Sequence, residues 1–154
     1  MIKSIGYFLF ASGFLAVAVL LMLIKAWPGE FQLFLLISFV YFTSIALSSI
    51  YFGYLLSSRV DLVGLVGALV LAVLSTFSFT FLGFSYSVVL GVGIIVEVNN
   101  VSSWIITLKF PMAEFATSYN KSVYGFAVGI NLVSLAVSSI LFKEIRRRRL
   151  QISE

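Results

Sequence analysis

Six carboxylates are all that this chain offers for acid–base or metal chemistry: Glu30, Asp61, Glu97, Glu114, Glu144 and Glu154. Histidine and cysteine are both absent. Without them there is no imidazole base, no thiolate nucleophile, no disulfide and no thiolate or imidazole metal ligand. The six acids lie far apart, so they form neither a catalytic pair at helical spacing nor a metal cluster. Gly91-x-Gly93 does not extend to a phosphate-cradling fingerprint. Serines are numerous, but a hydroxyl without a base beside it is a packing or back-bonding group. These residue types predict no enzyme, no cofactor and no metal.

The other chemically distinctive stretch is basic. Lys143-Glu144-Ile145-Arg146-Arg147-Arg148-Arg149 carries half of the ten Lys and Arg residues, directly after an apolar run from Ser122 to Phe142. Cytoplasmic flanks of membrane helices concentrate such charge. Lys143, Arg146, Arg147, Arg148 and Arg149 are also suited to contact anionic lipid headgroups, at about 1 kcal/mol per residue near the surface. A nucleic-acid reader would instead spread its bases over a folded face with stacking aromatics. The net charge of +4 therefore reports topology, and no nucleic-acid partner is expected.

What must position these groups follows from composition. At 61% hydrophobic and 10% charged, a chain of 154 residues cannot cover itself with a polar surface, so its apolar surface must face lipid. The expected fold is an all-α integral membrane protein forming one domain over residues 1–154. It is a four-transmembrane-helix bundle with a small extracytoplasmic β-hairpin between helices 3 and 4. About twenty helical residues match a hydrocarbon core of about 30 Å. The spans are expected at about residues 5–27, 31–56, 62–84 and 122–142, with an extracytoplasmic segment over 85–121 and a basic tail over 143–154. Ala16-Val17-Ala18 resembles a signal-peptide cleavage site, but the apolar run continues unbroken through Ile24, which favours an uncleaved helix. Trp27-Pro28-Gly29-Glu30 and Ser57-Ser58-Arg59-Val60-Asp61 read as tight turns, with Asp61 a candidate N-cap.

Two packing signals stand out. Gly64, Ala68, Ala72, Thr76 and Thr80 recur every fourth residue, and Gly125 and Gly129 share a spacing common at helix contacts in membranes. Asn131 falls near the middle of the last expected span, where it needs a hydrogen-bond partner from another helix. Between spans three and four the periodicity changes to two. Val92, Ile94, Val96 and Val98 share one parity, as do Trp104, Ile106, Leu108 and Phe110. A loop over Asn99–Ser103 would place both sets on one face of a hairpin. A re-entrant segment and a fifth span are the alternatives. They would bring Glu97 near mid-membrane at about 2.5–3.5 kcal/mol, together with Asn99, Asn100, Ser102 and Ser103.

With both termini cytoplasmic, Lys3, Arg59 and the five tail bases lie inside, against Lys25, Lys109 and Lys121 outside. Asn100-Val101-Ser102 and Asn120-Lys121-Ser122, both N-glycosylation patterns, then fall outside. The resulting expectation is a multi-pass cell-membrane protein that is a non-enzymatic accessory or structural subunit of a larger membrane complex. Its partners would be membrane lipids and other membrane subunits or a second copy of itself. The alternative is a small oligomeric transporter or channel, with Asn131 and Glu97 polarising a path.

Overall fold

A computed structural model describes residues 1–25, 33–81, 84–100, 104–112, 115–119 and 125–152. The Trp27–Glu30 turn, the loop over 101–103, the second glycosylation pattern, Glu114 and Glu154 lie outside the described residues. Among the described residues there are four helices: α1 (Ile2–Lys25), α2 (Leu33–Ser58), α3 (Leu62–Leu74) and α4 (Leu132–Ile152). Between α3 and α4 lie six strands: β1 (Phe77–Phe81), β2 (Phe84–Val88), β3 (Ile95–Asn100), β4 (Trp104–Lys109), β5 (Phe115–Tyr119) and β6 (Ala127–Asn131). They form one antiparallel sheet in the order β4-β3-β6-β1-β2-β5.

This overturns the all-α four-helix bundle. Among the described residues, two stretches are long and apolar enough to cross a membrane, Ile2–Met22 and Leu36–Ser58. At thirteen residues, α3 is about 20 Å long, well short of a ~30 Å hydrocarbon core. The apolar part of α4 is shorter still, because residues expected to begin that helix form β6 instead. The alternating pair β3–β4 is present, with Val96 opposite Leu108 and Val98 opposite Ile106, but as one third of a larger sheet.

Helix α1 packs antiparallel on α2 through small residues. Ser49 Oγ donates to the Leu9 carbonyl at 2.8 Å, and a Cβ on Gly6 would stand 2.6 Å from the Ser57 nitrogen. Gly53 sits directly on the Phe10 backbone. All four helices meet at one end in a cluster of Ile5, Leu9, Leu56, Leu65, Ala68, Ala72, Leu141 and Ile145. A second cluster joins Ala16, Leu20, Phe42 and Ala46 to Val88 and Leu90, so the β2 end of the sheet stands beside the far halves of α1 and α2.

The expected N-cap is present: Asp61 Oδ1 accepts from the Gly64 nitrogen at 2.7 Å and starts α3. Of the small-residue stripe, Gly64, Ala68 and Ala72 lie buried on α3, but Thr76 falls in the turn after it and Thr80 in β1. The helix ends where Ser75 and Thr76 hydroxyls donate back to the Leu71 and Ala72 carbonyls, at 2.9 and 2.7 Å. Phe77-Ser78-Phe79-Thr80-Phe81 then alternates with period two and leaves the helix as a strand. Gly125 precedes β6 and Gly129 lies within it, so they are not a helix–helix contact pair.

Candidate functional site

Asn131 occupies the junction where β6 becomes α4. Its Oδ1 accepts from the backbone nitrogens of Val133 at 3.1 Å and Ile94 at 3.3 Å, and its Nδ2 donates to Ser134 Oγ at 3.0 Å. Its own backbone N–H donates to the Thr76 carbonyl at 2.8 Å. The residue is buried and ties the end of α3, the approach to β3 and the first turn of α4 together. It is therefore a helix cap at a junction, not a mid-span polar group reaching for a neighbouring helix.

The sheet that this junction holds has two faces of opposite chemistry. Register places Phe77, Phe79 and Phe81 beside Ile130 and Val128 on one side and Tyr86 and Phe84 on the other. Val96, Val98, Ile106 and Leu108 continue the same face across β3 and β4. Phe79 stacks on Tyr86 with ring centroids 5.4 Å apart, and Phe81 meets Phe126 edge-on at 6.4 Å. Tyr86 Oη lies 3.3 Å from Tyr41 Oη, which anchors this face to α2. Most of the face is uncovered: Ile106 is 74% exposed, Phe81 56% and Leu108 57%. A soluble chain rarely leaves so continuous an apolar surface bare.

The opposite face is polar. Ser78, Thr80, Ser85, Glu97 and Lys109 lie on it, and with Ser87 they line a cavity of about 110 Å³. Lys109 Nζ donates to Glu97 Oε2 at 2.8 Å, and the Thr80 and Ser85 hydroxyls lie 3.0 Å apart. Gly129 makes room here, since a Cβ on it would collide with Ser78 Oγ. The Ser78 and Thr107 hydroxyls are buried without a hydrogen-bond partner.

At the far end of the molecule, Arg147 and Arg148 hold Glu144, at 2.8 and 2.9 Å, and Arg148 also donates to the Val60 carbonyl. The hydrogen bond from Arg148, then those charges together with Arg147, keep the Glu144 carboxyl below its ordinary value. Lys143, Arg146 and Arg149 are exposed and have no ion pair among the described residues. The tail thus divides into a pair that holds Glu144, of which Arg148 also fastens α4 to the α2–α3 turn, and a basic set with no ion pair among the described residues.

Sequence reasoning did not single out Phe77, Phe79, Phe81, Phe84, Tyr86, Ser78, Ser85 or Ser87. The available signal was the alternation in Phe-Ser-Phe-Thr-Phe and Phe-Ser-Tyr-Ser-Val. Of the six acids, Asp61, Glu97 and Glu144 are among the described residues, and no group of His, Cys, Asp or Glu there is arranged to hold a metal ion. No protein-family model matches the chain, and no curated protein and no solved structure matches it either, so its own geometry carries the functional reading.

Proposed function

We propose that this is a non-enzymatic, multi-pass membrane protein that serves as a subunit of a larger membrane assembly, with the aromatic face of its sheet as the contact. The carrying observation is the uncovered apolar face running from Phe81 across β6 and β3 to Ile106 and Leu108. Membrane residence is supported by the two apolar stretches of 21 and 23 residues, whose 18-residue apolar windows are only 39% and 28% buried inside the protein. The core helix of a soluble protein would be mostly covered. Helices α1 and α2 carry the crossing, and the sheet stands beside their far halves.

Orientation is supported by where the charges gather. Ile5 and Ile145 share one cluster, and Arg148 reaches Val60, so Lys3, Arg59 and the basic tail lie at the same end of the helices. An excess of Lys and Arg marks the cytoplasmic side, which supports a cytoplasmic location for both termini. The free set Lys143, Arg146 and Arg149 then faces anionic headgroups. The transport alternative is left with less support, because the Asn131 side chain that motivated it is occupied in capping α4.

Native mass spectrometry of the tagged protein, extracted from its own membrane in mild detergent, tests this reading. The expected result is a heteromeric assembly of fixed stoichiometry. A species made of this chain alone, with flux across liposomes, would overturn it in favour of transport.

A further inference from the structure

We infer that the β4 edge of the sheet pairs with β4 of a second copy of this chain, antiparallel about a two-fold axis at Thr107. Strand β4 ends the sheet, and no strand among the described residues lies on its outer side. Its hydrogen-bond phase follows from the neighbouring pairs. The Gly93 nitrogen donates to the Pro111 carbonyl at 2.9 Å, in the same register as Ile95 with Lys109 and Glu97 with Thr107. The Asn100 nitrogen donates in the other direction, to the Phe126 carbonyl of the β6 side, at 2.8 Å. Odd-numbered residues of β4 therefore turn their N–H and C=O groups towards β3, and Ile106 and Leu108 turn theirs outward.

An open row of this kind is a ready template for another strand. Strand β4 exposes an apolar side chain on each face, Ile105 at 45% and Ile106 at 74% exposure. Lys109 is the only charge on the strand. A two-fold at Thr107 sets Ile106 opposite Leu108 of the second copy, so the outward N–H and C=O groups of these two residues are paired on each strand. It sets Lys109 opposite Ile105 of the second copy, which keeps the two lysines apart. The apolar face then runs without a break across both sheets. Because the contact is isologous, it closes at two copies, whereas β4 on β5 of a neighbour would leave an edge open and propagate.

The absence of cysteine makes the test direct. In this arrangement Thr107 faces Thr107 of the second copy as a non-hydrogen-bonded pair, the closer of the two antiparallel spacings and within reach of a disulfide. Thr107 Oγ1 has no hydrogen-bond partner, so Thr107→Cys removes no bond. The full-length variant, oxidised in its native membrane, is expected to give a disulfide dimer. Ile105→Cys alone and Lys109→Cys alone should give none, and the two co-expressed should give the dimer. Adding Ile106→Pro to Thr107→Cys deletes one outward N–H and spares the ladder to β3, so the dimer should be lost while thermal unfolding remains cooperative. A Thr107→Cys protein that stays monomeric overturns the inference, as does linkage that survives Ile106→Pro, a ladder of higher multimers, or equal linkage by every single variant. Because the readout counts copies of this chain only, it stands or falls separately from the presence of a foreign subunit.

Discussion

Replacing Asn131 by alanine removes three things at once: the cap on Val133, the acceptor for the Ile94 N–H, and the donor to Ser134 Oγ. Loss of an N-cap side chain costs about 1 kcal/mol. A buried N–H left without its acceptor adds about 1–3 kcal/mol, and the 3.3 Å bond to Ile94 sits at the weak end of that range. The sum is about 2–3 kcal/mol, which corresponds to roughly 30- to 150-fold faster opening of the junction. Hydrogen exchange in mild detergent reads this directly at the amides of Ile94, Val133 and Ser134. Asn131→Ser should be intermediate, because a serine caps α4 but is too short to bridge to Ile94. Amides in the middle of α1 should not change. If the alanine variant exchanges within threefold of the parent at Val133 and Ser134, the cap argument fails. If the parent's exchange there is kept but its assembly is lost, the residue acts across an interface after all.

Three further outcomes follow from the packing and the tail. Gly53→Leu should separate α1 from α2, because Gly53 lies on the Phe10 backbone; the expected cost is about 1–3 kcal/mol or more, seen as a lower thermal midpoint, and an unchanged midpoint would contradict the close approach. The Glu144 carboxyl is depressed by Arg148 and Arg147, so its contribution is complete above the ordinary carboxylate value of about 4.3 and is lost as pH falls through the lower folded value. An NMR titration of Glu144 should show its midpoint move up in Arg148→Ala, and a midpoint that stays in place would refute the pairing. Replacing Lys143, Arg146 and Arg149 together by alanine should weaken binding to anionic vesicles by about 3 kcal/mol, at ~1 kcal/mol per residue, whereas neutral vesicles should show no difference.

How much of this could be read beforehand differs from residue to residue. Asp61 as a cap, the pairing of the Val96 strand with the Leu108 strand, and the two stretches long and apolar enough to span all follow from local chemistry: a side-chain acceptor three residues before an orphan N–H, period-two alternation, and an unbroken apolar run. The Phe77–Phe81 alternation was equally visible but lay inside an apolar run of helical length, and hydropathy does not separate a helix from a strand of the same polarity. Strand β6 had no local mark at all. Ala127–Asn131 is a strand because β1 and β3 flank it, with partners such as Phe77 and Val96 that lie 53 and 34 residues from Ile130 in sequence. Composition and periodicity determined by themselves the apolar character, the basic end and the absence of histidine and cysteine, because those depend on residue type alone. Only the tertiary structure decided that α3 stops at Leu74, that Asn131 caps a helix, and that serines and phenylalanines sort to opposite faces of one sheet. The local caps become legible only once the sheet is in place: β6 pairs with β1 and β3, and the Asn131 N–H reaches the Thr76 carbonyl, partners that no short window along the chain contains.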